Sequence, residues 1–116
     1  MVLLLKDLFY GMMLPSGNDA AYQIAQIGGT IINLSRDNIK LEPILYDREN
    51  LATYVEKYNN NIIVYLNKMN TIAKFKAKTV NTSFANPHGL SNVNSLSTAE
   101  DMAKLSSYSM RNEKFR

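Results

Sequence analysis

The stretch Leu14–Ala21, LPSGNDAA, decides how the front of this chain folds. A helix that leads into it must end here, because Pro15 disfavours helical angles in the residue before it and Gly17 adds conformational freedom. Asn18 or Asp19 can cap a second helix, since both side chains accept hydrogen bonds from the first amides of a helix. The stretch therefore predicts a tight turn between two helices.

Apolar residues on both sides of this turn recur at helical spacing. The spacing predicts a first helix over 3–13 with a wide buried stripe, and a second helix that runs to about Ile27. Gly28–Gly29 is a typical stop signal for that second helix. The predicted stripe of the first helix consists of Leu4, Leu5, Leu8, Phe9, Met12 and Met13.

The second half of the chain predicts three further helices. Residues 30–61 are interpreted as an insertion with its own short helix at about 50–58, and Asn59–Asn61 is a polar break. A clearer helix follows over 62–77. The last helix is predicted over 98–110, with Ser97 and Glu100 as the two side chains of a capping box.

Composition excludes several classes of protein. With 46% hydrophobic and 20% charged residues in 116, the chain is globular rather than disordered, and it has the size of one domain or part of one. A net charge of +3 does not by itself imply a nucleic-acid partner. The absence of cysteine excludes disulfides and thiolate metal sites. Met1–Leu5 is too short for a signal-peptide core or a membrane span, so neither is expected in this chain.

The turn is part of an ordered set of motifs. The set consists of KDLFYGMM at 6–13, S-x-N at 16–18, NPHGL at 86–90 and STAEDMA at 97–103. In this order the motifs resemble the serine-type D-alanyl-D-alanine carboxypeptidases, the low-molecular-mass penicillin-binding proteins of peptidase family S11. The resemblance covers Lys6 to about Ile27 and about Met69 to Leu105.

The resemblance implies a fold. Residues 1–116 would form a single partial peptidase domain, the S-x-N helical subdomain, with the insertion at about 30–61. The fold class is mainly α, a helical segment of the α+β β-lactamase and DD-peptidase-like fold whose catalytic sheet is mostly absent.

The resemblance also implies an acyl-transfer reaction on peptidoglycan peptides that end in D-Ala-D-Ala, with β-lactams as further ligands and without a cofactor. Ser16 would be the catalytic proton-relay serine and Asn18 the amide that positions the substrate. His88 and Gly89 would line the substrate groove. Two structural alternatives stay open: a capped turn for Ser16 and Asn18, and a purely structural loop role for His88. No second histidine accompanies His88, so no metal site is predicted.

The chain departs from the family pattern in two motifs. No serine is followed three residues later by lysine, so the S-x-x-K nucleophile is missing, and K-T-G is missing as well. Thr71–Lys74 has a spacing related to S-x-x-K, and Lys78–Val80 is similar to K-T-G without its glycine. Neither segment lies at the position that the family order of motifs requires. The expectation is an enzyme by family that is inactive as this chain alone; the alternative is a noncatalytic pseudoenzyme or binding module of the same fold.

The sequence gives limited information on the binding partners and the cellular compartment of this chain. The lysines between Lys68 and Lys78 favour a solvated helix face over a nucleic-acid-binding surface, so no nucleic acid is expected. Members of the family usually work outside the cytoplasm, but the sequence leaves the compartment of this chain open.

Overall fold

A computed structural model describes residues 3–37 and 51–116, and for residue 37 and residues 51–59 it describes the backbone only. The described residues form four helices: α1 (Leu5–Met13), α2 (Asn18–Asp37), α3 (Leu51–Phe75) and α4 (Ala99–Ser109). Their only β structure is an isolated antiparallel bridge between Ser83 and Leu96. The prediction of a mainly helical chain without the sheet is confirmed.

The chain divides into two compact units, Met1–Tyr65 and Leu66–Arg116. In the first unit α1 packs on α2. Among its described residues, the buried apolar side chains are Ala21, Ile24, Ala25 and Ile62. Two of these four are alanines, whose small side chains allow helix backbones to approach closely.

The exposure of α1 differs from the expected buried stripe. Among the described residues of α1 none is fully buried, and Leu5, Phe9 and Met13 are 46–65% exposed. The prediction of a wide buried stripe is therefore wrong for this chain. The physical reason is that the contact of α1 with α2 leaves these apolar side chains largely outside the interface.

The two glycines at 28–29 do not stop α2, which continues to Asp37. A Cβ on Gly29 would overlap the backbone carbonyl of Asn61, and a Cβ on Gly28 would overlap the ring of Tyr65. The glycines therefore permit close approach of α3 to α2. Tertiary packing outweighs the cost of about 1 kcal/mol that glycine carries in a helix interior.

The asparagines at 59–61 do not break α3, contrary to the prediction of two separate helices. Asn61 is buried, and its Nδ2 donates to Thr30 Oγ1 at 2.9 Å. Its Oδ1 accepts from Asn33 Nδ2, also at 2.9 Å. A polar residue inside a helix is stable here because both of its polar atoms find partners on α2. Residues 38–50 of the predicted insertion lie outside the described residues, and the insertion itself stays a prediction.

In the second unit, the end of α3 leads through a long loop to α4. The cap of α4 is Thr98, whose side chain accepts from the Asp101 N–H at 3.1 Å. The predicted capping box of Ser97 and Glu100 is wrong by one residue. Both pairs fit the same sequence rule, and the loop decides between them because the Ser97 hydroxyl pairs with Thr82 Oγ1 at 2.9 Å.

Candidate functional site

The turn between α1 and α2 is built from two backbone hydrogen bonds. Gly17 N–H donates to the Gly11 carbonyl at 3.1 Å, and Ala21 N–H donates to the Gly17 carbonyl at 3.2 Å. Gly17 therefore occupies the capping position of α2, and Asn18 is its first residue. A Cβ on Gly17 would lie 2.5 Å from the Gly11 carbonyl oxygen, so only glycine fits there.

Ser16 has an unusual backbone conformation. Its φ is 56°, in the left-handed region that L residues other than glycine, asparagine and aspartate seldom adopt. The conformation costs roughly 1–2 kcal/mol for a residue with a Cβ. Such strained residues concentrate at functional sites.

The polar side chains of this turn are not used to hold it together. Ser16 is exposed and Asn18 half-buried, and neither side chain forms a hydrogen bond within the described part of the chain. Capping by Asn18 or Asp19 was predicted, but Gly17 takes that position and caps through its backbone. The Ser16 hydroxyl and the Asn18 carboxamide thus stand two residues apart with their donors and acceptors open to a ligand.

The loop with the only histidine is closed by Asn86. Asn86 Oδ1 accepts from Gly89 N–H at 2.8 Å, and Asn86 Nδ2 donates to the Leu90 carbonyl at 2.9 Å. Gly89 has a φ of 81°, which a side chain would strain. One carboxamide and one glycine therefore define this five-residue turn.

His88 lies half-buried within this turn. Its Nδ1 accepts from Leu90 N–H at 3.1 Å. This hydrogen bond orients the ring relative to the backbone of the turn.

Asn70 on α3 anchors the start of this loop. Its Nδ2 donates to the Phe84 carbonyl at 2.9 Å, and its Oδ1 accepts from Phe84 N–H at 2.7 Å. The side-chain amide pairs with both polar groups of one residue, as a neighbouring β-strand would. Ser83, the preceding residue, continues this strand-like pairing, because it exchanges two backbone hydrogen bonds with Leu96 at 2.8 and 3.0 Å.

Asp101 on α4 holds an earlier part of the same loop, residues 80–82. It is only 2% exposed, and its carboxylate accepts from Val80 N–H at 3.1 Å, Asn81 N–H at 2.7 Å and the Thr82 hydroxyl at 2.7 Å. Burial acts to raise the pKa of this carboxyl, but the hydrogen bonds from Thr82, Val80 and Asn81, with the nearby Lys104, outweigh it and lower the pKa below its ordinary value. Asp101 is therefore an ionised internal anchor of the loop.

Sequence reasoning missed Asn70 and Asp101 as the residues that position the histidine loop. Asp101 did have a signal, because it stands three residues after Thr98 as a capping pair requires. Asn70 had none, since an asparagine on a helix surface does not reveal that a loop 14 residues later will pair with it.

The sequence-predicted residues fall into two groups. Ser16 and Asn18 share the α1–α2 turn of the first unit, while His88 and Gly89 share the loop of the second. The roles of all four stay predictions. Within residues 3–37 and 51–116, no three His, Cys, Asp or Glu side chains are grouped as metal ligands.

Comparison with protein families gives a match over more than half of the chain. The model of the D-alanyl-D-alanine carboxypeptidase family, peptidase S11, matches residues 48–115. The chain belongs to this family. The match contains the histidine loop, Asn70 and Asp101, and it does not extend to Ser16 and Asn18. No curated protein and no solved structure matches the chain.

Membership agrees with the architecture. A mainly helical chain whose described residues contain no strand fits a helical segment of the S11 fold without its sheet. The family is one of serine carboxypeptidases, hydrolases that act on D-Ala-D-Ala peptides of peptidoglycan and bind β-lactams. None of the described helices has both the length and the apolar content to cross a bilayer.

Proposed function

We propose that this chain is the helical part of a serine-type D-Ala-D-Ala carboxypeptidase and binds the substrate peptide without attacking it. The observation that carries the proposal is the α1–α2 turn, where Ser16 is held in a strained conformation and its hydroxyl, like the Asn18 carboxamide, has no partner in the described chain. Residue types that normally cap a helix are here left free for a ligand.

Each side chain has a role in the proposed site. The Asn18 carboxamide has a donor and an acceptor, so it can pair with both groups of a substrate peptide bond. The Ser16 hydroxyl can accept a proton and donate one, as a relay toward a leaving amine requires. In the loop, His88 and Gly89 are proposed to line the wall of the substrate groove.

The chain by itself is proposed to be catalytically inactive. It contains no S-x-x-K and no K-T-G, so it lacks the nucleophile, the lysine that would activate it and the strand that receives the substrate carboxylate. Loss of the nucleophile of a serine hydrolase lowers turnover by on the order of a millionfold. A relay serine cannot replace it. This absence also favours a second candidate function, in which the chain is a pseudoenzyme of the same fold and is not part of an active carboxypeptidase.

Titration of the labelled full chain with a peptide ending in D-Ala-D-Ala, followed by NMR, tests peptide binding. The expected result is saturable shifts of the Ser16 and Asn18 amides, abolished in Asn18→Ala and absent with the matched L-Ala-L-Ala peptide. Unchanged spectra at saturating peptide would contradict the binding role.

Labelling with fluorescent penicillin tests the proposed inactivity. No covalent label is expected on the intact chain, because no activated serine is present to form the acyl-enzyme. A labelled band that survives denaturation and disappears in Ser16→Ala would show that this chain acylates and would refute the proposal of an inactive chain.

A further inference from the structure

The charge of the chain is distributed unevenly. Residues 57–99 contain five lysines and no aspartate or glutamate. Three of these lysines, Lys74, Lys76 and Lys78, lie within five residues where α3 ends, and all three are exposed. Among the described residues no carboxylate pairs with any of them, and the ion pairs present there belong to Lys104. The side chains of this surface therefore carry a net positive charge.

Two apolar side chains interrupt the lysines. Phe75 is 60% exposed and Val80 is 78% exposed. Together with the three lysines they form a surface that we name the lysine ridge: Lys74, Phe75, Lys76, Lys78 and Val80. Phe75 and Val80 thus add exposed apolar area to a cationic surface.

The backbone places the ridge residues on the outside. Ala77 and Thr79 are buried, while Lys76, Lys78 and Val80, which flank them, are exposed. The alternation is held in place because Thr79 N–H donates to the Ala73 carbonyl at 3.0 Å.

The far end of the ridge is anchored as well. Lys78 adopts a φ of 62° and turns the chain after the helix. Both Asp101 carboxylate oxygens accept from Val80 N–H at 3.1 Å. The ridge is thus a formed surface with its backbone tied to buried groups at both ends.

We propose that the lysine ridge is a peripheral contact surface for a bilayer with anionic phospholipid headgroups. The lysines would lie at the level of the headgroups, and Phe75 and Val80 would enter the interface, since cationic and apolar groups add their contributions there. The contact proposed is one of surface adsorption.

The composition of the ridge favours a bilayer over a nucleic acid. Proteins that bind single strands stack bases on open aromatic faces. Here the Lys74 ammonium lies 5.5 Å from the centroid of the Phe75 ring and covers one face. Val80 has no aromatic face at all, whereas an aliphatic side chain gains free energy on entering the apolar part of an interface.

Sedimentation of the full chain with lipid vesicles tests the proposal. Vesicles of phosphatidylcholine with about a third of phosphatidylglycerol are compared with vesicles of phosphatidylcholine alone, at low and at high salt. Binding is expected only to the anionic vesicles and is expected to weaken with salt. Replacement of Lys74, Lys76 and Lys78 by glutamine should lower the binding constant roughly a hundredfold, at about fivefold for each lysine.

A matched variant controls for net charge. Glutamine at Lys6, Lys114 and Arg116 removes three exposed positive charges outside the ridge and should change binding only a few fold. The pair Phe75→Ser and Val80→Ser should weaken the binding that persists at high salt. NMR spectra of every variant show whether it keeps the wild-type fold.

Three results would overturn the proposal. They are the absence of binding to anionic vesicles, an equal loss in the control variant, and tighter binding to DNA than to vesicles at the same salt concentration. The last result would assign the lysine ridge to nucleic acid.

Discussion

Replacement of Asn70 by alanine should release the loop that carries His88. Asn70 makes two hydrogen bonds to the backbone of Phe84, at 2.7 and 2.9 Å. Each is worth about 1 kcal/mol net, and the higher helix propensity of alanine cancels because α3 stays formed when the loop opens. The loop should therefore open more easily by about 2 kcal/mol, which is roughly a thirtyfold increase in its opening equilibrium.

Amide hydrogen exchange of the full chain measures this opening. In Asn70→Ala the protection of the Phe84 amide should fall roughly thirtyfold, and the amides of Ser83 and Leu96, which pair with each other, should follow. The control is Asn67→Ala, one turn earlier on the same helix, whose side chain is exposed. It should leave the loop unchanged. Equal exchange in wild type and Asn70→Ala, or an equal effect of Asn67→Ala, would refute the idea of a side-chain anchor.

The remaining predictions concern the two units separately. Gly29→Ala should destabilise the first unit by about 1–3 kcal/mol in urea unfolding, because the added Cβ overlaps the backbone of α3. Gly11→Ala should stabilise the same unit by up to about 1 kcal/mol, because its Cβ would have an ordinary 3.7 Å contact and alanine has the higher helix propensity. Ser16→Gly should relieve the left-handed strain and stabilise the first unit by about 0.5–1 kcal/mol, a net value that includes the larger conformational entropy of glycine in the unfolded chain. Ser16→Ala keeps the strain and should not stabilise this unit. The pKa of Asp101 is lowered in the folded chain, so its contribution to stability is complete above the ordinary pKa near 4 and is lost as pH falls further. Asp101→Asn should thus be less stable at neutral pH and should flatten the acid side of the stability profile; an unchanged acid side would show that another carboxylate controls it.

The ordered motifs of the sequence predicted the family and the helical class, and both predictions are confirmed. They could do so because a helix shows its apolar period locally and a motif needs only neighbours along the chain. The turn at Ser16–Asn18 was predicted for the same reason, since proline and glycine act on their own backbone and on the residue next to them.

Tertiary structure alone decided where the helices continue and which side chains hold the loop. Gly28–Gly29 and Asn59–Asn61 carry local signals for a helix end, yet both lie inside helices because α2 and α3 approach closely and Asn61 finds its partners on the other helix. The same holds for Asn70 and Asp101, whose partners are 14 to 21 residues away in sequence. Contacts between residues so far apart in sequence form only in the folded chain, so a local sequence pattern does not reveal them.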